Sequence, residues 1–364
     1  MQSSFHTLIV NICIVILFIF FFDEELLLKL NKKYDTASST NKLGDGNKKR
    51  GRLSKHIAFY YNPKNDPRND QRLGALRRVL HVAETYTDYY NVDISLHTNL
   101  LTDGNVFDLN ATLGYKCNLM QNMIQHCPNI TVLTHDMSKT NPHFLTWKHR
   151  EYMLKQNAGE NEGYYDIFLY VEDDQLFTLD ALQYFIEYSP LARSMGCRLG
   201  FIRVSDPVYT NGLDYIKPQS TWGRIVRFNN TNNKIATNNS TNRIEWAQLV
   251  GETNYWAGWI MDNNSPDFKA FSSSPEFLPS PSSVNKFKIR EIAAWGWDFP
   301  WMESQPRRPN NGTVVPLLAK GEKLVLHPGA ISYHLSEKHT SKECREGDYS
   351  QCGVLYDEFD LAQL

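Results

Sequence analysis

The chain of 364 residues lacks a surplus of either charge: 38 lysines and arginines stand against 40 aspartates and glutamates, a formal net charge of −2. No basic field exists to neutralise phosphates, so nucleic acid is not an expected partner. Cysteine is scarce, six in all, and no two form a CxxC knuckle of the kind that holds structural zinc. No internal repeat is present. A metal-dependent phosphohydrolase would need more His and Asp ligands at strand ends than the sequence supplies. Long apolar runs are absent too, with one exception.

That exception is Leu8 to Phe22 (LIVNICIVILFIFFF), closed abruptly by Asp23, Glu24 and Glu25. Counted from Phe5 it has 18 residues, just enough to span a bilayer at about 1.5 Å per residue. No small-x-small cleavage site follows Phe22, so residues 1–25 read as an uncleaved signal anchor rather than a signal peptide. Lys29, Lys32, Lys33, Lys48, Lys49, Arg50 and Arg52 follow the span, which by the positive-inside rule would leave the bulk of the chain in the cytosol. Two features point the other way. Seven Asn-x-Ser/Thr sequons occur, at Asn110, Asn129, Asn229, Asn238, Asn239, Asn263 and Asn311, a mild excess over chance. The close cysteine pairs Cys117/Cys127 and Cys344/Cys352 could each close a short disulfide loop. The expectation is a single-pass protein of the Golgi or endoplasmic reticulum membrane with its main domain in the lumen.

Residues 26–54 are rich in Lys, Asn, Ser and Gly and suit a flexible stem. Residues 55–340 then form the expected domain, with halves 55–190 and 191–340 and a tail at 341–364. His56 to Tyr61 reads as a buried strand, Leu73 to Tyr86 as a helix with Leu73, Leu76, Leu80 and Ala83 on one face, and Val92 to His97 and Asn129 to His135 as two further strands. Asn141 and Pro142 mark a helix start, and Tyr165 to Val171 is an apolar strand. This order predicts an α/β fold, a mostly parallel Rossmann-type sheet flanked by helices. Leu199 to Ser205 and Val314 to Leu326 look like strands of a more irregular second half, and residues 228–243 like a surface insertion.

In such sheets ligands gather at the carboxyl ends of the strands. Tyr170-Val171-Glu172-Asp173-Asp174 places three carboxylates there, a cluster that repels itself unless a hard divalent cation neutralises it. If the chain stays extended, Glu172 and Asp174 point to one side and can ligate Mn²⁺ or Mg²⁺, leaving Asp173 for a hydrogen bond on the other. The bland alternative is a strand end with solvated acids capping the next helix.

An apolar strand ending in this acidic triplet resembles the DxD element of GT-A glycosyltransferases, with Glu172 in place of the first Asp. Ala294-Trp295-Gly296-Trp297-Asp298 resembles the WGW-plus-acid element of inverting members such as the beta-1,4-galactosyltransferases, although Phe299, Pro300 and Trp301 replace the further acids usual there. The resemblance implies a transferase that moves a sugar from a nucleotide-sugar donor to a glycan or glycoprotein acceptor. It implies Asp298 as the acceptor-side base, with Glu291 as runner-up, and Glu172, Asp174 and a C-terminal histidine as metal ligands. His334 is preferred over His327, which precedes a Pro-Gly turn. Tyr60, Tyr61 and Asn62 fall where such folds seat the nucleobase; Arg150 and Lys148 are candidates to face the diphosphate. Trp256, Trp259, Trp295 and Trp297 offer faces on which an acceptor sugar could stack, against the plainer reading that they are core. A non-catalytic glycan-binding membrane protein that kept the fold is the competing function.

Overall fold

The computed structural model describes residues 50–61, 69–99, 107–117, 127–157, 164–205, 224–227, 244–250, 256–274, 277–278, 293, 312–320 and 323–335. All belong to one compact unit, Arg50–Leu364. The apolar segment Leu8–Phe22 and the tail 341–364 lie outside the described residues; among those described, no helix is long and apolar enough to cross a membrane.

The chain is mixed α/β around a mostly parallel sheet. Strands β1 (Gly51–Phe59), β2 (Tyr90–Asn99), β3 (Asn129–His135) and β4 (Ile167–Glu172) run parallel, and β10 (Gly258–Asp262) adds an antiparallel edge, in the order β10-β4-β1-β2-β3. The sheet is covered by α1 (Asn69–Glu84) and α2 (Lys148–Asn157). Leu76, Val79, Leu80 and Ala83 of α1 are fully buried, the i, i+3, i+4, i+7 stripe of a helix lying on a core. Each large member of such a stripe contributes about 1.5–3 kcal/mol.

Strand β1 begins at Gly51, inside the stretch whose composition suggests a stem. Its charges are absorbed by neighbours. Arg52 pairs with Asp93 at 2.9 Å and lies over the Tyr165 ring, Arg50 donates to the Thr87 carbonyl, and Lys55 donates to the Val79 carbonyl beneath α1. The start at Asn141 is as read, its side chain accepting from His143 N–H at 3.0 Å, but the first turn is 3-10 over Pro142–Trp147 before α2 begins.

The second half builds two smaller sheets. One is β12-β11-β9-β8, made of β8 (Arg224–Arg227), β9 (Glu245–Val250), β11 (Thr313–Lys320) and β12 (Lys323–Leu326), with β6 (Arg198–Leu199) added to β11. The other is β5-β13-β7, made of β5 (Gln175–Leu176), β7 (Ile202–Ser205) and β13 (Ile331–His334). The expected single strand at 199–205 is divided between the two sheets around Gly200. A side chain there would run into Leu249 at 2.6 Å and Thr313 at 2.8 Å. Helix α3 (Leu179–Ser194) follows β5, its start capped by Thr178, which accepts from Ala181 N–H. The short helix α4 (Pro266–Ser272) follows β10.

The Cys117–Cys127 disulfide is formed, and Cys197 is a buried free thiol. Cys344 and Cys352 lie outside the described residues. Of the sequons, Asn263 is buried and its amide nitrogen donates to Asn157 Oδ1 and to the Tyr165 carbonyl, so it is a structural amide and not a glycan acceptor. Asn110 and Asn129 are exposed.

Candidate functional site

Strand β4 is buried along its whole length between β1 and β10. With β2 and β3 on one side of β1 and β4 on the other, the sheet changes direction of winding between β1 and β4. The carboxyl ends of the strands at such a switch point open into a crevice. One wall carries Tyr60 and Tyr61, the residues after β1. The other carries Glu172, Asp173 and Asp174.

The three acids are held by three different parts of the chain. Glu172 is buried, and its N–H donates to the Ala257 carbonyl at 3.0 Å. Ala257 has a φ of 61°, a left-handed conformation that costs a non-glycine residue about 1 kcal/mol and is retained where the surroundings enforce it. The next residue, Gly258, is required: a Cβ there would lie 2.6 Å from both the Trp256 ring and the Tyr170 carbonyl. Asp173 pairs with Arg72 of α1 at 3.0 Å, and the Arg72 guanidinium also lies over the Phe59 ring. Asp174 turns the chain into β5, which pairs antiparallel with β13 through Gln175↔His334 and Leu176↔Tyr333. Leu335 N–H donates to the Asp174 carbonyl at 2.8 Å. This pairing sets Nε2 of His334 3.4 Å from Oδ2 of Asp174, with the imidazole almost fully buried.

A carboxylate oxygen and an imidazole nitrogen at that separation are too far apart for a short hydrogen bond and close enough to share one cation. Their chemistry fits a divalent cation that takes part of its shell from the protein and the rest from water and diphosphate oxygens, with the imidazole favouring Mn²⁺ over Mg²⁺. Among the described residues no three His, Cys, Asp or Glu side chains come together to hold a metal ion, so the expected third ligand, Glu172, is not gathered with Asp174 and His334. A complete protein cage is what a zinc site needs and a nucleotide-bound Mn²⁺ does not.

The remaining expected residues divide sharply. Tyr61 stacks on Phe59 and meets Phe107 edge-on; its backbone is clamped by the Asn99 side chain, which accepts from Tyr61 N–H at 2.7 Å and donates to its carbonyl at 2.8 Å. Arg150 does not face a diphosphate. It is fully buried, surrounded by the Trp147, Phe271 and Phe277 rings, and donates to the carbonyls of Phe277 and Ala293. Burial lowers its pKa to about 9. Lys148 is engaged with Glu151 at 3.2 Å. Trp256 packs on Phe177 and Phe201, and Trp259 on His149 and Phe271, each 4% exposed. The plainer reading holds for both, since protein rings occupy the faces on which a sugar would stack. His327 accepts from Gly329 N–H and caps a 3-10 turn, and burial lowers its pKa to about 4. Asn62, Glu291, Trp295, Trp297 and Asp298 lie outside the described residues.

Three residues at the site go unmarked by the sequence reading: Arg72, Asn99 and Gln175. Arg72 had a usable signal, a cation in the first turn of the helix that follows the loop after β1. Asn99 ends β2 as Tyr61 follows β1, and the parallel register that aligns them is a tertiary fact. Gln175 was hidden by the acids before it.

No protein-family model matches the chain, and no curated protein matches it. Among solved structures it is similar to mouse xyloside xylosyltransferase 1 in its apo form, at 15% identity over 44% of this chain, with a TM-score of 0.24. The match spans 55% of that structure's chain. It is also similar to the galactosyltransferase LgtC in complex with donor and acceptor sugar analogues, at 12% identity over 66% of this chain and 68% of that one, with a TM-score of 0.24. At such superposition the likeness carries no argument about this chain.

Proposed function

We propose that the chain is a divalent-metal-dependent glycosyltransferase that moves a sugar from a nucleotide-sugar donor to a glycan or glycoprotein acceptor. The carrying observation is the Asp174–His334 pair at the carboxyl end of β4, where an α/β sheet of this order receives its ligand. Asp174 and His334 would hold Mn²⁺ or Mg²⁺. When bound, that ion supplies a Lewis acid for the charge that builds on the departing diphosphate.

The chain's own residues supply the rest. Tyr60 and Tyr61 offer an aromatic shelf for the base, with Asn62 next in sequence. Asp173 holds Arg72 at the crevice, where the guanidinium adds positive charge toward a diphosphate. Asp298, on its WGW-acid resemblance, takes the proton of the attacking acceptor hydroxyl in a single inverting displacement; Glu291 is the second candidate. In a retaining enzyme Asp298 would instead orient the acceptor. Trp295 and Trp297 are the aromatic candidates for the acceptor side.

The Cys117–Cys127 disulfide and the exposed sequons Asn110 and Asn129 support a Golgi or endoplasmic reticulum lumen as the working compartment, with residues 5–22 as the membrane tether. The test is a donor screen on the full-length chain made in a secretory host. It measures Mn²⁺-dependent release of nucleoside diphosphate from a panel of nucleotide sugars, with and without glycan acceptors. Metal-dependent release from one donor supports the proposal. Tight nucleotide-sugar binding without turnover on any acceptor would favour the non-catalytic glycan-binding reading, and no binding would overturn both.

A further inference from the structure

The small sheet β5-β13-β7 has one apolar and one polar face. Leu176 and Tyr333 are aligned across the first by strand register. Gln175 and His334 are directly paired, and such pairs share a face. Ser332, two residues before His334, lies on that face as well, in register with Arg203. Gln175 and Ser332 are both completely buried. Among the described residues neither amide atom of Gln175 has a hydrogen-bond partner, nor has the Ser332 hydroxyl. Three orphaned polar atoms on one small face are costly, since each buried group left unmade forfeits its hydration without return.

We infer that this face, closed in the ligand-free chain, opens to the donor's sugar as it enters beside Asp174 and His334, and that Gln175, helped by Ser332, recognises its hydroxyl or acetamido groups. The inference rests on the nucleotide-sugar reading above and deepens it. Directly opposed residues on paired strands have Cβ atoms about 4.5–5.5 Å apart, roughly the width of a pyranose ring. Gln175 thus stands about one sugar width from the His334 imidazole, which meets Asp174. A diphosphate held at Asp174 and His334 places its attached sugar, rather than its base, over that neighbouring position. A carboxamide presents one acceptor and two donors side by side, which suits a vicinal diol or an acetamido group. The orphaned atoms are then satisfied only in the complex. A site of this kind rejects a ligand lacking the matching group far more strongly than an apolar pocket does.

The test compares wild type, Gln175→Leu and Ser332→Ala as full-length chains in Mn²⁺. Affinities are measured for UDP and GDP alone and for UDP-glucose, UDP-galactose, UDP-N-acetylglucosamine and GDP-mannose. Wild type should bind one sugar nucleotide at least tenfold more tightly than its bare diphosphate. Gln175→Leu should erase that preference while bare diphosphate affinity stays within about twofold, and Ser332→Ala should reduce it. Because an orphaned amide gives way to an apolar side chain of similar volume, Gln175→Leu should also raise the ligand-free Tm by a few degrees. A structural role would lower Tm instead, and either that result or an unchanged sugar preference in Gln175→Leu overturns the inference. If wild type binds diphosphate with Mn²⁺ but shows no sugar preference, the inference falls and the metal site stands. If wild type binds none of these probes, the parent reading falls and this inference with it.

Discussion

Nε2 of His334 lies 3.4 Å from Oδ2 of Asp174, although 160 positions (334 − 174) separate the two residues in sequence. The contact follows from one piece of backbone, the two-residue strand β5, which turns straight after the acids and pairs with the end of β13. The same pairing brings Gln175 beside the histidine. One carboxylate of the acidic cluster at the end of β4 is thereby set beside an imidazole from a distant strand.

Arg72 is the cation expected to serve the diphosphate. Arg72→Ala should weaken nucleoside diphosphate binding by about tenfold, the scale of one lost charge-assisted hydrogen bond. Its effect on stability should stay under about 1 kcal/mol, because the Arg72–Asp173 pair is partly solvated, with side chains 24% and 17% exposed. Calorimetric titration with UDP and GDP beside a denaturant melt reads both quantities.

Arg150 should behave in the opposite way. Arg150→Met removes the donors to the Phe277 and Ala293 carbonyls and should cost about 3 kcal/mol of stability. Diphosphate affinity of the folded fraction should not change. Lost affinity with unaltered stability would return Arg150 to the binding site.

Acid should unfold the domain early, because imidazoles are buried neutral across the parallel sheet. The Ser54 hydroxyl donates to Gln156 and so receives the Nε2 proton of His56; His56 and His97 then join at 3.2 Å, and His97 and His135 at 3.1 Å. Burial lowers the pKa of His56 to about 3 and carries those of His97 and His149 well below the ordinary value. Partial burial lowers the pKa of His135 too, with Lys148 depressing it further and Glu151 opposing. The unfolded chain binds protons at these histidines below about pH 6.5 while the native chain does not. The stabilisation is therefore complete above pH 6.5 and is lost as pH falls toward 3, by up to about 1.4 kcal/mol per pH unit for each fully buried ring. Lys55, with a pKa lowered by burial to about 7, adds the same sign of slope between about pH 10.5 and 7. Denaturant melts from pH 8 to 5 should show this fall, and a flat midpoint would refute it.

Much of the parallel sheet was legible because its signals are local. Apolar runs such as YDIFLYV, the 3.6-period stripe of α1, and Asn141-Pro142 each declare an element without long-range help. The acidic triplet was legible for the same reason. What could not be read is what distant strands decide. Arg50 to Ser54 looks like stem because the charges of Arg50 and Arg52 find their partners, Thr87 and Asp93, only in other elements. Arg150 looks like a cation free to face a diphosphate because nothing near it in sequence reveals the aromatic rings and carbonyls that enclose it. The choice of His334 over His327 rested on the strand before it, whereas its meeting with Asp174 depended on β5, too short to carry a periodic signal.

Asp298, the proposed acceptor-side base, has a separate signature. Asp298→Asn keeps shape and removes the basic oxygen, so transfer should fall by a factor on the order of 10² to 10⁴ while donor affinity holds. Inversion at the anomeric carbon of the product would favour the base role, and retention would leave only acceptor orientation. Near-normal transfer would move the role to Glu291.

On the proposed function, Asp174 and His334 together hold the cation that holds the nucleotide. Titrating UDP and GDP into the wild-type chain, Asp174→Asn, His334→Gln and the double variant, with Mn²⁺ and with excess chelator, tests it most directly. Wild type should bind a diphosphate only with Mn²⁺. Each single variant should lose at least about tenfold of that metal-dependent affinity, and the double variant should lose less than the sum of the two in free energy, as partners in one site do. Full Mn²⁺-dependent binding in Asp174→Asn, or wild-type binding that is as tight in chelator as in Mn²⁺, would contradict the account.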